Sequence, residues 1–228
     1  MKRYGFLALL LGFSLRLVAA DLAGAEDVYI DINCDLNERI ESSLSNNTLR
    51  KLTFEAVARD LKEPVTMMLG ELIKNTSTLR ELYLIFPPNF SLGNHVEIPE
   101  QAKVIFTSLE KNHTVETLAI AHNVGWIGAD GTNALVSLLT SNQTLKAIDV
   151  SLGKTPTSQD YARLADAIKS NKVLTHIGLT FENITQRDAE SFVKFLSQNQ
   201  TLTRITLNYC GGDAQIPKIL QKGQRNPA

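Results

Sequence analysis

The side chains able to do chemistry are few and scattered. Four histidines, His95, His113, His122 and His176, match no zinc spacing, and neither Cys34 nor Cys210 has another cysteine near it. No metal site is therefore expected. The nearest approach to a catalytic set is His122 with Asp149 and Ser151. There an imidazole would take the serine proton while a carboxylate oriented the ring. Asp149 and Ser151 are two apart and would point to one side of a strand, whereas His122 falls at a strand end. No glycine-flanked elbow surrounds Ser151, and no Walker or dinucleotide loop occurs. The expectation is a chain that is not an enzyme and carries no cofactor, with a small hydrolase around His122 and Ser151 as the remote alternative.

The elements that would have to position these side chains are repeats. The pattern Asn-x-x-apolar-x-x-apolar-x-apolar recurs at Asn46, Asn75 (one residue longer), Asn112, Asn142, Asn171 and Asn199. Its leading apolar residues, Leu49, Leu79, Val115, Leu145, Leu174 and Leu202, are 30, 36, 30, 29 and 28 residues apart. That period belongs to a solenoid. Each copy has two halves. The first places apolar residues two apart, as in Leu82-x-Leu84, Leu118-x-Ile120, Ile148-x-Val150, Ile177-x-Leu179 and Ile205-x-Leu207, which predicts a strand with one buried face.

The second half shifts to helical spacing. Val65, Met68, Leu69 and Leu72 make one stripe, Ala102, Ile105, Phe106 and Leu109 another, and Tyr161, Leu164, Ala165 and Ile168 a third. Neither half can bury its apolar face alone, so the copies must stack, strand beside parallel strand and helix beside helix. Thr157-x-x-Asp160 and Thr185-x-x-Asp188 read as capping boxes, and the Asn before each strand as a left-handed helix end.

The unit Asn123-Val124-Gly125-Trp126-Ile127-Gly128-Ala129-Asp130-Gly131-Thr132-Asn133-Ala134-Leu135, followed by Leu138 and Asn142-Gln143-Thr144-Leu145, resembles the ribonuclease-inhibitor class of leucine-rich repeats. The likeness spans about residues 25 to 220 and includes a weaker first copy, with Ala25, Val28 and Ile30 as strand, Asn33 at the family's asparagine position, and Leu36, Ile40 and Leu44 behind. That position is Asn123 in the fourth copy and Cys210 in the seventh, but Val57, Pro87, Gly153 and Glu182 elsewhere, so the family's asparagine ladder is broken. The resemblance implies an α/β solenoid of about seven repeats, a short horseshoe with parallel strands concave and helices convex. Such arcs usually bind proteins, and the fold itself carries no chemistry.

Projecting the strand positions between the buried ones gives the face a protein partner would meet. The contact candidates are Lys51, Glu55, Arg80, Tyr83, Ile85, Asp149, His176, Arg204 and Tyr209, with Phe90 from an insertion at residues 87–99 that makes the third copy long. Small residues, Ala119, Ala121, Ala147, Ser151 and Gly178, would leave a trough in the middle. Phe86, His122, Leu152, Phe181 and Tyr209 share a strand-end position and form either an exposed rim or core under the loops. A second reading makes the array a structural scaffold that self-associates through an open end strand.

With 43% hydrophobic and 21% charged residues, the composition is that of an ordinary folded protein. Lys2 and Arg3 precede an apolar run from Phe6 to Phe13, and Val18-Ala19-Ala20 offers small residues for cleavage. Residues 1–20 read as an export signal, too short to span a bilayer, ahead of a repeat domain at 21–228 and an extracytoplasmic destination. Without Lys2, Arg3 and Arg16 the 23 basic residues fall to 20 against 24 acidic, a net charge of −4. With no basic tract, nucleic acid is not expected as a partner of such a chain.

Cys34 and Cys210, in the first and last copies, would lie more than about 20 Å apart at the spacing of stacked strands, which excludes an internal disulfide. Seven Asn-x-Ser/Thr sequons occur, at Asn46, Asn75, Asn89, Asn112, Asn142, Asn183 and Asn199, and five of them coincide with the repeat's own asparagine.

Overall fold

Two residue periods within each copy force two kinds of element, and the computed structural model contains both, each copy's strand preceding its helix. It describes residues 27–31, 48–55, 63–85, 96–120 and 125–224. In chain order the elements are β1 (Asp27–Asp31), β2 (Lys51–Glu55), α1 (Glu63–Asn75), β3 (Glu81–Ile85), β4 (Val96–Glu97), α2 (Pro99–Glu110), β5 (Thr117–Ile120), β6 (Gly125–Trp126), α3 (Gly128–Ser141), β7 (Ala147–Gly153), α4 (Ser158–Ser170), β8 (His176–Phe181), α5 (Gln186–Leu196), β9 (Arg204–Tyr209) and α6 (Ile216–Gln221).

All described pairings are parallel. The spine runs β1-β2-β3-β5-β7-β8-β9. The two-residue strands β4 and β6 form a side branch that joins β7 through Trp126 opposite Ser151. Six strand–helix units are thus described, from β2 to α6. The first of the seven expected copies contributes β1 in the expected register, Val28 opposite Leu52 and Ile30 opposite Phe54. Its helical half at Leu36, Ile40 and Leu44 lies outside the described residues, as do residues 1–20 and Cys34.

The core is the predicted set of stripes. Leu52, Leu82, Leu118, Ile148, Ile177 and Ile205 stand directly opposite one another across the sheet. Each is buried, together with the leading residues Leu49, Leu79, Val115, Leu145, Leu174 and Leu202. The helices lay Leu69, Leu72, Ile105, Phe106, Leu135, Leu138, Leu164, Ile168, Phe192 and Leu196 against them. The helices approach closely where residues are small: a β-carbon added to Gly131 of α3 would fall 3.1 Å from the β-carbon of Ala102 on α2.

Helix ends are closed within and between copies. Thr157 and Asp160 form the full capping box on α4. Thr185 accepts from the Asp188 amide, while Asp188 Oδ2 takes the hydroxyls of Thr185 and of Ser158 from the previous copy. Helix α3, whose N-cap Ile127 has no capping side chain, borrows Thr155 of the next copy, which accepts from the Ala129 amide at 2.8 Å.

The repeating asparagine does something other than expected. Asn142 (φ −77°, ψ 132°) and Asn171 (φ −66°, ψ 133°) are extended, not left-handed. Each is buried and bridges two copies. Asn142 Nδ2 donates to the carbonyls of Leu109 and Asn112, and its Oδ1 accepts from the amides of Thr144 and Leu145. Asn112 and Asn199 repeat the arrangement, and Asn171 does so with one donor bond, to Leu139. At the third copy Thr76 holds this place and accepts from the Leu79 amide, so Asn75 stands one residue off the ladder and exposed. The helix-ending asparagines therefore form a ladder of their own.

Candidate functional site

Because a strand turns successive side chains to opposite faces, burying one face leaves the other free, and the helices cover only the first. The exposed pattern is plain in β2, β3 and β5, where half-buried residues alternate with buried ones. Strand register arranges the open side in three rows. The first is Asp27, Lys51, Glu81, Thr117, Ala147, His176 and Arg204. The second is Tyr29, Thr53, Tyr83, Ala119, Asp149, Gly178 and Thr206. The third takes in Glu55 and Ile85 at one end and Ser151, Thr180 and Asn208 at the other.

Backbone bonds hold these rows rigidly. The carbonyl of the residue before each strand accepts two amides from the next copy: Arg50 from Arg80 and Glu81, Arg80 from Glu116 and Thr117, Glu116 from Lys146 and Ala147.

At the β1–β3 end the side chains organise one another. Lys51 Nζ lies 5.2 Å from the centre of the Tyr83 ring, and Tyr83 donates its hydroxyl to Glu81 at 3.0 Å. Burial, then the Glu81 bond, holds the Tyr83 phenol above its usual pKa. Tyr29, 51% exposed, donates to Glu55. Ile85 is half-buried beside them. This aromatic and charged patch was predicted in Lys51, Glu55, Tyr83 and Ile85; Tyr29 was missed, though its place two residues from Asp27 on the first copy's strand is its signal.

The other predicted contacts divide. Arg204 is exposed, and His176 is half-buried with its Nδ1 2.8 Å from Thr175 Oγ1. Arg80 donates to the Thr114 carbonyl at 2.9 Å and so braces the turn before β5. Tyr209 is half-buried and packs on the core, its hydroxyl folded over Gly211. Phe90 lies outside the described residues, as do Phe86, Ala121 and His122.

Two expectations need correction. The small-residue trough is not open throughout, because the Asp149 carboxylate lies over Gly178, 2.5 to 2.9 Å from where a β-carbon there would sit, and Ser151 is wholly buried. The insertion is shorter than residues 87–99: Val96 and Glu97 form β4, Ile98 is the buried N-cap of α2, and Pro99 is its first residue. Residues 87–95 are outside the described residues. At the strand ends Leu152 and Phe181 are fully buried, Phe181 packing against Tyr161 and Phe192 at 5.8 and 5.4 Å, so these two are core.

For chemistry the site offers little. Ser151, the supposed nucleophile, is 0% exposed, and Asp149 shares its strand and face. Among the described residues no group of three or more His, Cys, Asp or Glu could hold a metal ion, and no helix is long and apolar enough to cross a membrane.

No family model matches the chain, and a search of curated proteins finds no match. Among solved structures the chain is similar to the tropomodulin C-terminal domain of Caenorhabditis elegans, with a TM-score of 0.50 and 15% identity over 70% of this chain and 92% of that one. It is also similar to actin-binding site 2 of leiomodin-1, with a TM-score of 0.45 and 19% identity over 68% of this chain and 87% of that one. The first likeness supports the fold, a parallel α/β repeat array that is not closed into a barrel.

Proposed function

We propose that this chain is a non-catalytic protein-binding module, a leucine-rich-repeat array of the ribonuclease-inhibitor type, that grips its partner with the open strand face. The observation that carries this reading is the set of in-register rows on that face. Half-exposed charged and aromatic side chains stand on strands pinned by backbone bonds, so little ordering entropy is lost when a partner docks. Lys51, Tyr83, Ile85 and Glu55, with Tyr29, form its centre, because tyrosine combines large contact area with a polar tip. Asp149, His176 and Arg204 extend it towards β9, and Phe90 with the rest of residues 87–95 would flank it. Arg80 and Tyr209 support the face more than they touch a partner.

Residues 1–20 are proposed to export the chain, placing its function outside the cytoplasm. The scaffold reading is weaker at the β9 end, where Ile216 and Leu220 are buried and Gln224 donates to the Leu207 carbonyl of the edge strand at 2.9 Å. The hydrolase reading loses its nucleophile with the burial of Ser151.

The test is capture of partners from the surrounding medium and from extracts by residues 21–228, compared with a Lys51→Ala/Tyr83→Ala double variant and a Lys103→Ala control on the exposed side of α2. A partner held by the wild type and the control but lost by the double variant supports the strand face. Equal capture by all three would overturn it.

A further inference from the structure

The asparagine ladder sorts the sequons into two chemically different groups. Asn112, Asn142 and Asn199 are 2%, 4% and 2% exposed, with Nδ2 within 3.1 Å of two backbone carbonyls of the preceding copy. Asn171 holds the same place with one donor bond and the same two accepted amides, although Lys172 and Val173 follow it and no sequon exists there. The ladder, then, requires the asparagine amide; the threonine that completes each sequon adds a hydroxyl bond to that asparagine's Oδ1, a bond the Asn171 copy does without, having Val173 there. Asn75 and Asn183 differ. Both are exposed, Asn75 because Thr76 occupies the ladder position, and Asn183 because it lies in the turn between β8 and α5. Asn75 Nδ2 bonds Glu71 of its own helix, and Asn183 Nδ2 reaches the Lys154 carbonyl at 3.3 Å.

From this we infer that Asn75 and Asn183 are the sites among the described residues that can carry an N-linked glycan in the folded chain, and that Asn112, Asn142 and Asn199 must stay bare for it to fold. The transfer forms a bond from asparagine Nδ2 to the anomeric carbon of a lipid-pyrophosphate-linked oligosaccharide. The bond from that carbon to the pyrophosphate oxygen breaks, and the amide proton leaves with the lipid pyrophosphate. At Asn75 and Asn183 the sugar points to solvent, and neither residue stands on the open strand face, so that face stays clear. At a ladder position the sugar would have to occupy the space between two stacked copies, and one of the two donor hydrogens would be gone. The inference rests on the fold; the export reading bears only on whether such transfer occurs in the native host.

The experiment expresses the full chain in a glycosylating eukaryotic secretory pathway, once behind a foreign leader and once behind its own first 20 residues, and maps glycans in the protease-resistant and the aggregated fractions. With the foreign leader, Asn75 and Asn183 are occupied in the protease-resistant fraction, and ladder occupancy is confined to aggregate. A Thr114→Val/Thr144→Val/Thr201→Val variant, which removes the three ladder sequons and keeps their asparagines, empties that aggregate of ladder glycan. Inhibiting synthesis of the lipid-linked donor does the same for the unaltered chain. A protease-resistant chain with a glycan on Asn112, Asn142 or Asn199 overturns the inference, and so do bare Asn75 and Asn183. Glycans that appear with the foreign leader but not with the chain's own segment would count against export alone.

Discussion

Asn142 shows how one side chain can join three segments. Its amide closes two carbonyls at the end of the previous copy, and its oxygen closes two amides at the start of its own strand. Alanine there leaves these buried backbone groups without partners, and each such group costs about 1 to 3 kcal/mol before relaxation. Asn142→Ala should therefore lower unfolding free energy by about 3 to 4 kcal/mol, read by urea denaturation, at the upper end of single-residue effects. A loss below about 1 kcal/mol would mean that water replaces the amide. The sequence displayed the residue six times, yet its period says only that it recurs. That the backbone at Asn142 and Asn171 is extended, and the side chain inward, follows from the stacked copy that supplies the carbonyls.

At the scale of the element, the strand carries the most legible information. Alternation alone identified Ile148, Ile177 and Ile205 as inward, and they face one another in adjacent strands, each at most 2% exposed. Truncating Ile177 to alanine should cost about 2 to 5 kcal/mol, because the two flanking isoleucines hold the cavity open; a melting curve like that of the wild type would refute this packing. The same alternation predicted Lys51, Glu55, Tyr83 and Ile85 on the opposite face, and register then brought Lys51 over the Tyr83 ring. It could not show that Asp149 fills the place above Gly178, or that Ser151 is closed off, because both depend on neighbouring strands. The capping of α3 by Thr155 was hidden for the same reason: the cap lies 26 residues beyond the amide it serves.

Over the whole molecule, stability is a sum of contacts between adjacent copies, and one of them should set the alkaline limit. Tyr161 on α4 donates its hydroxyl to the Asn183 carbonyl of the next copy at 2.9 Å. Burial, followed by the charges of Asp188, Asp160 and Tyr209, raises its pKa well above the ordinary 10.0. The folded chain then holds this proton where the unfolded chain releases it. The resulting stability is complete below about pH 10 and is lost progressively as pH rises towards the folded value. Tyr161→Phe should accordingly be less stable at neutral pH yet show a shallower fall above pH 10, measured by denaturation at a series of pH values; parallel curves would refute the assignment.

What the sequence determined by itself was the repeat, the strand-then-helix order, the parallel sheet and the two faces of each strand, since all of these follow from local period and from the need of each half to be covered. Tertiary structure alone decided the asparagine ladder, the caps borrowed between copies, and which of the open-face positions are exposed. Those depend on atoms about one repeat away in the chain, and the position of such atoms is fixed only when the copies stack.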